Sequence, residues 1–187
     1  MTTPIVVLVT GHPATGKTTL AHALARELGL PLIWKDQMKE TLLDVLGAAT
    51  TAESRRLGVA AWALLYQRVE MLLQAGVSHV VEANFDPAFA NGRWQALHQA
   101  YAFRLIQVRC ETAPAVLLHR YRTRIAAGVR HAGHVDDSQN ATFLAAIQQP
   151  LGWVDLDGAR FAVNTTDIPP GLDAQLVRSI RDLLPQP

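Results

Sequence analysis

The chain has 187 residues, of which 49% are hydrophobic and 18% charged, with a formal net charge of +1. That length suits one domain, 1–187, with a core large enough to fold without disulfide or metal staples, and the apolar share excludes disorder as the main state. The near-neutral balance excludes a bulk electrostatic drive toward nucleic acid or membrane, and no apolar run approaches the roughly 18 residues of a membrane span.

Taken in chain order, Ile5 to Val9 is a continuous apolar run rich in β-branched residues and ending at Thr10-Gly11, the pattern of a central strand buried on both faces. A helix is predicted from about Lys17 to Leu28, with Leu20, Leu24 and Leu28 on one stripe and Gly29 as its stop. Pro31 to Trp34 is a short second strand. Asp36 then opens a helix to about Leu46, ended by Gly47. Thr50 and Glu53 have capping-box spacing and open a long helix whose Leu57, Ala61, Leu64, Leu65, Val69 and Leu72 share a face, ending at Gly76. His79 to Glu82 is a third strand, followed by a helix from Pro87 to Gln99. A fourth strand spans Phe103 to Arg109, and the next helix Ala113 to Ala127. A polar stretch from Gly128 to Asp137 leads to a short helix ending at Gln149. Phe161 to Val163 is a fifth strand, and a last helix spans Leu172 to Leu184. Strands alternating with helices predict an α/β fold, a parallel sheet with crossover helices. The helix pair from Asp36 to Ala75 is longer than one crossover requires, and the stretch around Arg130 is loop-like. Both are expected over the C-terminal edge of the sheet, where open α/β folds bind ligands.

Gly11-His12-Pro13-Ala14-Thr15-Gly16-Lys17-Thr18 matches G-x-x-x-x-G-K-[ST] at every fixed position, between a predicted buried strand and a predicted helix. The spacing has a chemical reason. Gly11 and Gly16 let the backbone turn tightly around an anion. Backbone N–H groups from Ala14 through Thr15 to Thr18, with Thr19 next, form a nest to which the helix dipole adds positive potential. Lys17 reaches the β- and γ-phosphates of a nucleotide, and the Thr18 hydroxyl ligates Mg²⁺.

With this motif, its small size and its five strands, the chain resembles the P-loop kinases of adenylate-kinase-like architecture. Among them it is most similar to the branch holding chloramphenicol phosphotransferase, zeta toxins and the kinase domain of phage polynucleotide kinase. The resemblance implies a five-stranded parallel sheet of order 2-3-1-4-5, an ATP site with Mg²⁺, a helical acceptor-binding insert (36–76) and a lid (128–138). Ala14 stands where many relatives have glycine, which is harmless if it keeps a negative φ. In the resembled kinases an Asp after the second strand faces the acceptor hydroxyl, and a basic residue three positions later helps hold acceptor or phosphate; Asp36 and Lys39 match. A carboxylate near the γ-phosphate can take the proton that the hydroxyl loses. The alternative for Asp36 is a helix N-cap.

Glu82 ends the third strand beside the P-loop strand, where a carboxylate suits a water-bridged Mg²⁺, although the family more often has Asp there. An ion pair with a lid arginine is its other reading. Asn84, just past the strand, is a candidate acceptor contact. From Thr112 to Val135 there is no Asp or Glu, while Arg120, Arg122, Arg124 and Arg130 cluster there, a local positive charge that suits a transferring phosphoryl group. The resemblance places Arg120 near the nucleotide and Arg124 or Arg130 over the phosphates; Arg122 is expected to face solvent. Cys110, the single cysteine, is expected to be buried and unreactive, and it fits a reducing cytoplasm, as does the lack of a basic region before the first apolar run. The expected activity is therefore a cytoplasmic ATP-dependent transfer of phosphate to a hydroxyl of a small molecule. The alternatives are a polynucleotide 5′-hydroxyl kinase and a nucleotide-binding regulatory ATPase.

Overall fold

A computed structural model of the chain describes residues 3–128, 131, 141–167 and 173–184. Its strands are β1 (Ile5–Thr10), β2 (Leu32–Trp34), β3 (His79–Glu82), β4 (Arg104–Glu111) and β5 (Gly158–Asn164). Its helices are α1 (Lys17–Leu28), α2 (Lys35–Leu46), α3 (Thr51–Gln74), α4 (Pro87–Ala100), α5 (Pro114–Ala126), α6 (Ala141–Ala146) and α7 (Ala174–Leu183). The five strands form one sheet of order β2-β3-β1-β4-β5, and every pairing is parallel, as expected.

Alternation along β1 assigns its side chains to two cores, because successive residues of a strand point to opposite faces. Val6 and Leu8 join Leu65 and Val69 of α3 and Trp94 of α4 on one face. Ile5, Val7 and Val9 join Leu20 and Leu24 of α1 and Ile180 of α7 on the other. All of β1 is buried, so each aliphatic side chain contributes roughly 1.5–3 kcal/mol, and the strand that precedes the Gly-rich loop is firmly held. Among the described residues no helix is long and apolar enough to cross a membrane.

Three expectations change. First, α3 does not ride wholly over the sheet edge. Its inward stripe is Ala61, Leu65, Val69 and Leu73, and the last three pack onto the sheet, so α3 is itself the crossover from β2 to β3. Leu64, expected on that stripe, is exposed. The capping box of Thr50 and Glu53 forms as expected. Second, β5 is longer than Phe161–Val163. As an edge strand it packs only Ala159, Phe161 and Val163 inward, and the residues between them are exposed, so half its sequence carries no apolar signal. Third, α2 starts at Lys35 with Trp34 as its N-cap, so Asp36 lies in the first turn and is not the cap.

Candidate active site

Register carries the site. Trp34 of β2 lies opposite Glu82 of β3, and Glu82 lies opposite Val9 of β1. The chain leaves these strands at the same edge, so Lys35 and Asp36, the segment from Ala83 to Asp86, and the loop after Thr10 emerge side by side. Thr10 ties two of them together: its hydroxyl accepts from the Phe85 amide at 3.0 Å.

The loop from Gly11 to Gly16 is built around two glycines. A Cβ at Gly11, where φ is +149°, would stand 2.7 Å from Thr15 Oγ1 and 2.8 Å from the Cys110 carbonyl oxygen. Gly16 caps α1 with φ +82°. Ala14 departs from the expected backbone: its φ is +67°, in the left-handed region, where an L-residue other than glycine is strained. The Thr15 hydroxyl donates to the His12 carbonyl at 2.8 Å. The Thr15 amide also donates to that carbonyl, at 3.3 Å, so Thr15 braces the loop. His12 Nε2 lies 2.9 Å from the Gln149 carbonyl oxygen, and burial lowers the His12 pKa, an effect the hydrogen bond to Gln149 opposes.

Lys17 is buried and its Nζ stands 3.8 Å from Glu82 Oε1, while the Thr18 hydroxyl donates to Glu82 Oε2 at 3.1 Å. Burial pushes the Glu82 carboxyl above its ordinary value; the Lys17 charge pulls it back and that of Asp36 pushes it further up. Among the described residues the partners of Glu82 are thus Lys17 and Thr18 of the phosphate loop; Arg130, the lid arginine of its other reading, lies outside them. A cavity of about 730 Å³ opens in front of these groups, the size of a small-molecule site. Ala14, Gly16, Lys17, Thr18 and Thr19 form one wall, Trp34, Asp36 and Glu40 a second, and His119, Arg120, Thr123, Arg124 and Asp167 a third. Lys35 Nζ donates to Asp36 Oδ1 at 2.9 Å.

Arg120 donates to the carbonyls of Thr165 and Thr166 at 2.8 and 3.0 Å, which anchors it to the loop after β5. Arg124 is exposed on the cavity wall, and Arg122 is exposed away from it, as expected. Lys39 is not brought into this cavity. It is buried, with Cε 4.0 Å from where a Cβ on Gly58 of α3 would stand. Asn84 is also outside it and lines a separate cavity with Trp62 and Tyr66. Arg130 and most of the expected lid lie outside the described residues. His131 Nε2 is 2.9 Å from Asp44 Oδ1 on α2, so this residue of the expected lid reaches the second wall's helix. Cys110 is buried and burial pushes its thiol up to about 12, which removes it as a nucleophile.

No local sequence pattern marks Thr165 as part of the site. It is buried, with its hydroxyl 2.9 Å from the Thr15 carbonyl, 3.0 Å from the Glu111 carbonyl and 2.6 Å from the Thr112 hydroxyl. It braces the phosphate loop from a point 150 positions away in sequence. A threonine after an edge strand carries no signal of that role.

The oxygen and nitrogen groups here suit a magnesium nucleotide. Thr18 and Glu82 offer oxygens to a hard cation, and a buried lysine and a left-handed turn face the cavity. Among the described residues no three His, Cys, Asp or Glu side chains gather as a metal cluster.

A family model described as an AAA domain matches residues 6–150. A candidate kinase from Chloroflexus aurantiacus is 40% identical, with a TM-score of 0.90 over 98% of this chain and 100% of that chain. The Mycobacterium tuberculosis APS kinase, solved with AMPPNP and APS, is 18% identical with a TM-score of 0.57, over 97% of this chain and 96% of that one. A sugar kinase from Janibacter is 17% identical with a TM-score of 0.56, over 96% and 92%. These last two show the shared fold alone. The sequence has no match among curated proteins.

Proposed function

Since the chain belongs to the AAA domain family, we propose that it is an ATP-dependent kinase that moves the γ-phosphate of Mg·ATP to a hydroxyl of a small-molecule acceptor. The observation that carries this reading is that Lys17, Thr18, Asp36 and Arg124 face one cavity at the carboxyl edge of the sheet. Lys17 and the loop amides hold the phosphates. Thr18, with Glu82 behind it, holds Mg²⁺, which when bound neutralises phosphate charge. Asp36 takes the proton of the acceptor hydroxyl as its oxygen bonds to the γ-phosphorus. The bond from that phosphorus to the β–γ bridging oxygen breaks, and ADP leaves. Arg124, with Arg130 from the segment 128–138, offsets the charge of the transferring group, and Arg120 fixes the nucleotide side. Helices within 36–76 form the acceptor side. Within the family, Asp36 in this place favours the branch holding chloramphenicol phosphotransferase and the polynucleotide kinases. The lone buried Cys110 agrees with a reducing cytoplasm.

The test has two arms. Mg·ATP and ADP are expected to raise the melting temperature, because a ligand of the folded state stabilises it by mass action, and Lys17→Ala is expected to lose most of the ATP shift. Label in the γ-phosphate is expected to pass into an acceptor product. Release of inorganic phosphate alone would point to a regulatory ATPase, and an unchanged ATP shift in Lys17→Ala would remove the P-loop from the reaction.

A further inference from the structure

A second cavity, of about 440 Å³, is lined by Trp62, Tyr66, Asn84, Asp86, Phe89 and Ala90. Two links join it to the catalytic groups. Asn84 follows Glu82 by two residues, a separation of at most about 7 Å along an extended chain. Lys35 is the other: its Nζ donates to Asp36 Oδ1 at 2.9 Å and stands 5.9 Å from the centroid of the Trp62 ring.

Its walls are aromatic. Trp62 and Tyr66, one turn apart on α3, stack with centroids 5.9 Å apart and planes at 24°. Phe89, in the first turn of α4, is 87% exposed and holds its ring in water at the rim. Burial pushes the Tyr66 phenol up to about 12, so it keeps its proton at neutral pH. The polar groups are few. Asp86 is fixed at the rim because its Oδ1 accepts from the Ala88 amide at 3.0 Å and caps α4. No Lys or Arg lines the cavity: nearby Lys35 is paired with Asp36, the Arg93 guanidinium lies 5.4 Å from the Tyr66 ring, and the Asp86 carboxylate stands in the lining. A nucleic-acid end requires an excess of positive charge along its phosphates, and this cavity has none. Aromatic faces with a few polar groups instead suit a ring.

We propose that this cavity is the acceptor subsite, and that it takes an uncharged alcohol bearing a ring, which stacks between Trp62 and Phe89 and turns its hydroxyl toward Asp36. The proposal rests on the kinase reading above and narrows its substrate class.

The experiment follows label from γ-labelled ATP into three sets of acceptors at saturating Mg·ATP. One set is neutral ring alcohols, namely benzyl alcohols and aryl glycosides such as p-nitrophenyl β-D-glucopyranoside. The second is glucose 6-phosphate and acyclic polyols, and the third a 5′-hydroxyl oligothymidylate. Label is expected in a member of the first set, with Phe89→Ala and Trp62→Leu each raising its KM roughly tenfold or more. The change in kcat is expected to be much smaller than that in KM. Phe89→Ala removes an exposed ring, so it folds even if Trp62→Leu does not, and the ADP melting shift reports the fold of both. Label confined to the second or third set, no label in any set, or KM values unmoved in a folded Phe89→Ala would each overturn the subsite. The kinase reading fails separately, when Mg·ATP produces no melting shift in the parent protein.

Discussion

The Thr18 hydroxyl donates to Glu82 Oε2 at 3.1 Å, joining the first turn of α1 to the end of β3 across 64 positions of sequence. Glu82 is buried beside Lys17, so the carboxylate holds both the lysine and the threonine of the phosphate loop in place before any nucleotide arrives. Glu82→Gln keeps an acceptor for Thr18 and removes the charge. Its expected effect is a loss of about 10–100-fold in the Mg²⁺ dependence of turnover, the usual worth of a group that orients a metal ligand. Titrating activity with Mg²⁺ measures it. An unchanged Mg²⁺ requirement would limit Glu82 to pairing with Lys17.

Asp36 stands in the first turn of α2, with Trp34 as the cap. Asp36→Asn therefore leaves no cap to lose and removes only the charge, along with its pairing to Lys35. Acceptor-dependent turnover at saturating ATP is expected to fall roughly 10²–10⁴-fold, the range of general-base catalysis, while nucleotide affinity holds. Asp36→Ala is expected to cost about 0.3–1 kcal/mol through the helix dipole, beside the lost pairing with Lys35. Near-normal turnover in Asp36→Asn would move the search for the base to Glu40, which lines the same wall.

Ala14 at φ +67° holds a conformation that costs an L-residue roughly 1–2 kcal/mol. Ala14→Gly relieves that strain and gives back part of the gain as extra freedom of the unfolded chain, so stability is expected to rise by up to about 1 kcal/mol. Ala14→Val is expected to destabilise and to weaken ADP binding, because a β-branched residue is least tolerated there. Denaturant midpoints for the three proteins decide it, and a lower midpoint for Ala14→Gly would show that no strain resides at this position.

His79 is fully buried, its Nδ1 is 2.9 Å from the Val77 carbonyl oxygen, and its Nε2 has no partner among the described residues. Burial lowers its pKa below 6.5. Above that value both folded and unfolded forms are neutral. As pH falls below it, the unfolded chain takes a proton that the folded chain refuses, so stability is lost toward acid, by at most about 1.4 kcal/mol per pH unit from this group. Unfolding free energies between pH 7.5 and 5.5 are expected to fall more steeply in the parent protein than in His79→Phe. Parallel curves for the two would contradict the burial of a neutral imidazole.

The sequence by itself determined the phosphate loop, the helices α1 and α3 with their glycine stops and capping box, and the three interior strands, because each is a local pattern. A run such as Ile5 to Val9 can be hidden from water only inside a sheet, and Gly-Lys-Thr after it specifies a turn into a helix. Tertiary structure decided the rest. The pairing of Glu82 with Thr18 and Lys17 follows from the register of β3 against β1, which no local pattern encodes. The brace from Thr165 to Thr15 depends on β5 lying beside β4. The full length of β5 was hidden because an edge strand buries only alternate residues. The left-handed backbone of Ala14 has no local signature, because φ at one position is imposed by closure of the loop between β1 and α1. Lys39 has the spacing of a phosphate contact from Asp36, yet α3 packs across α2 and covers it. Chemistry confined to a contiguous motif is legible because its geometry is carried by neighbouring peptides; chemistry shared between strands is set by register, and register is set by the packing of the two cores.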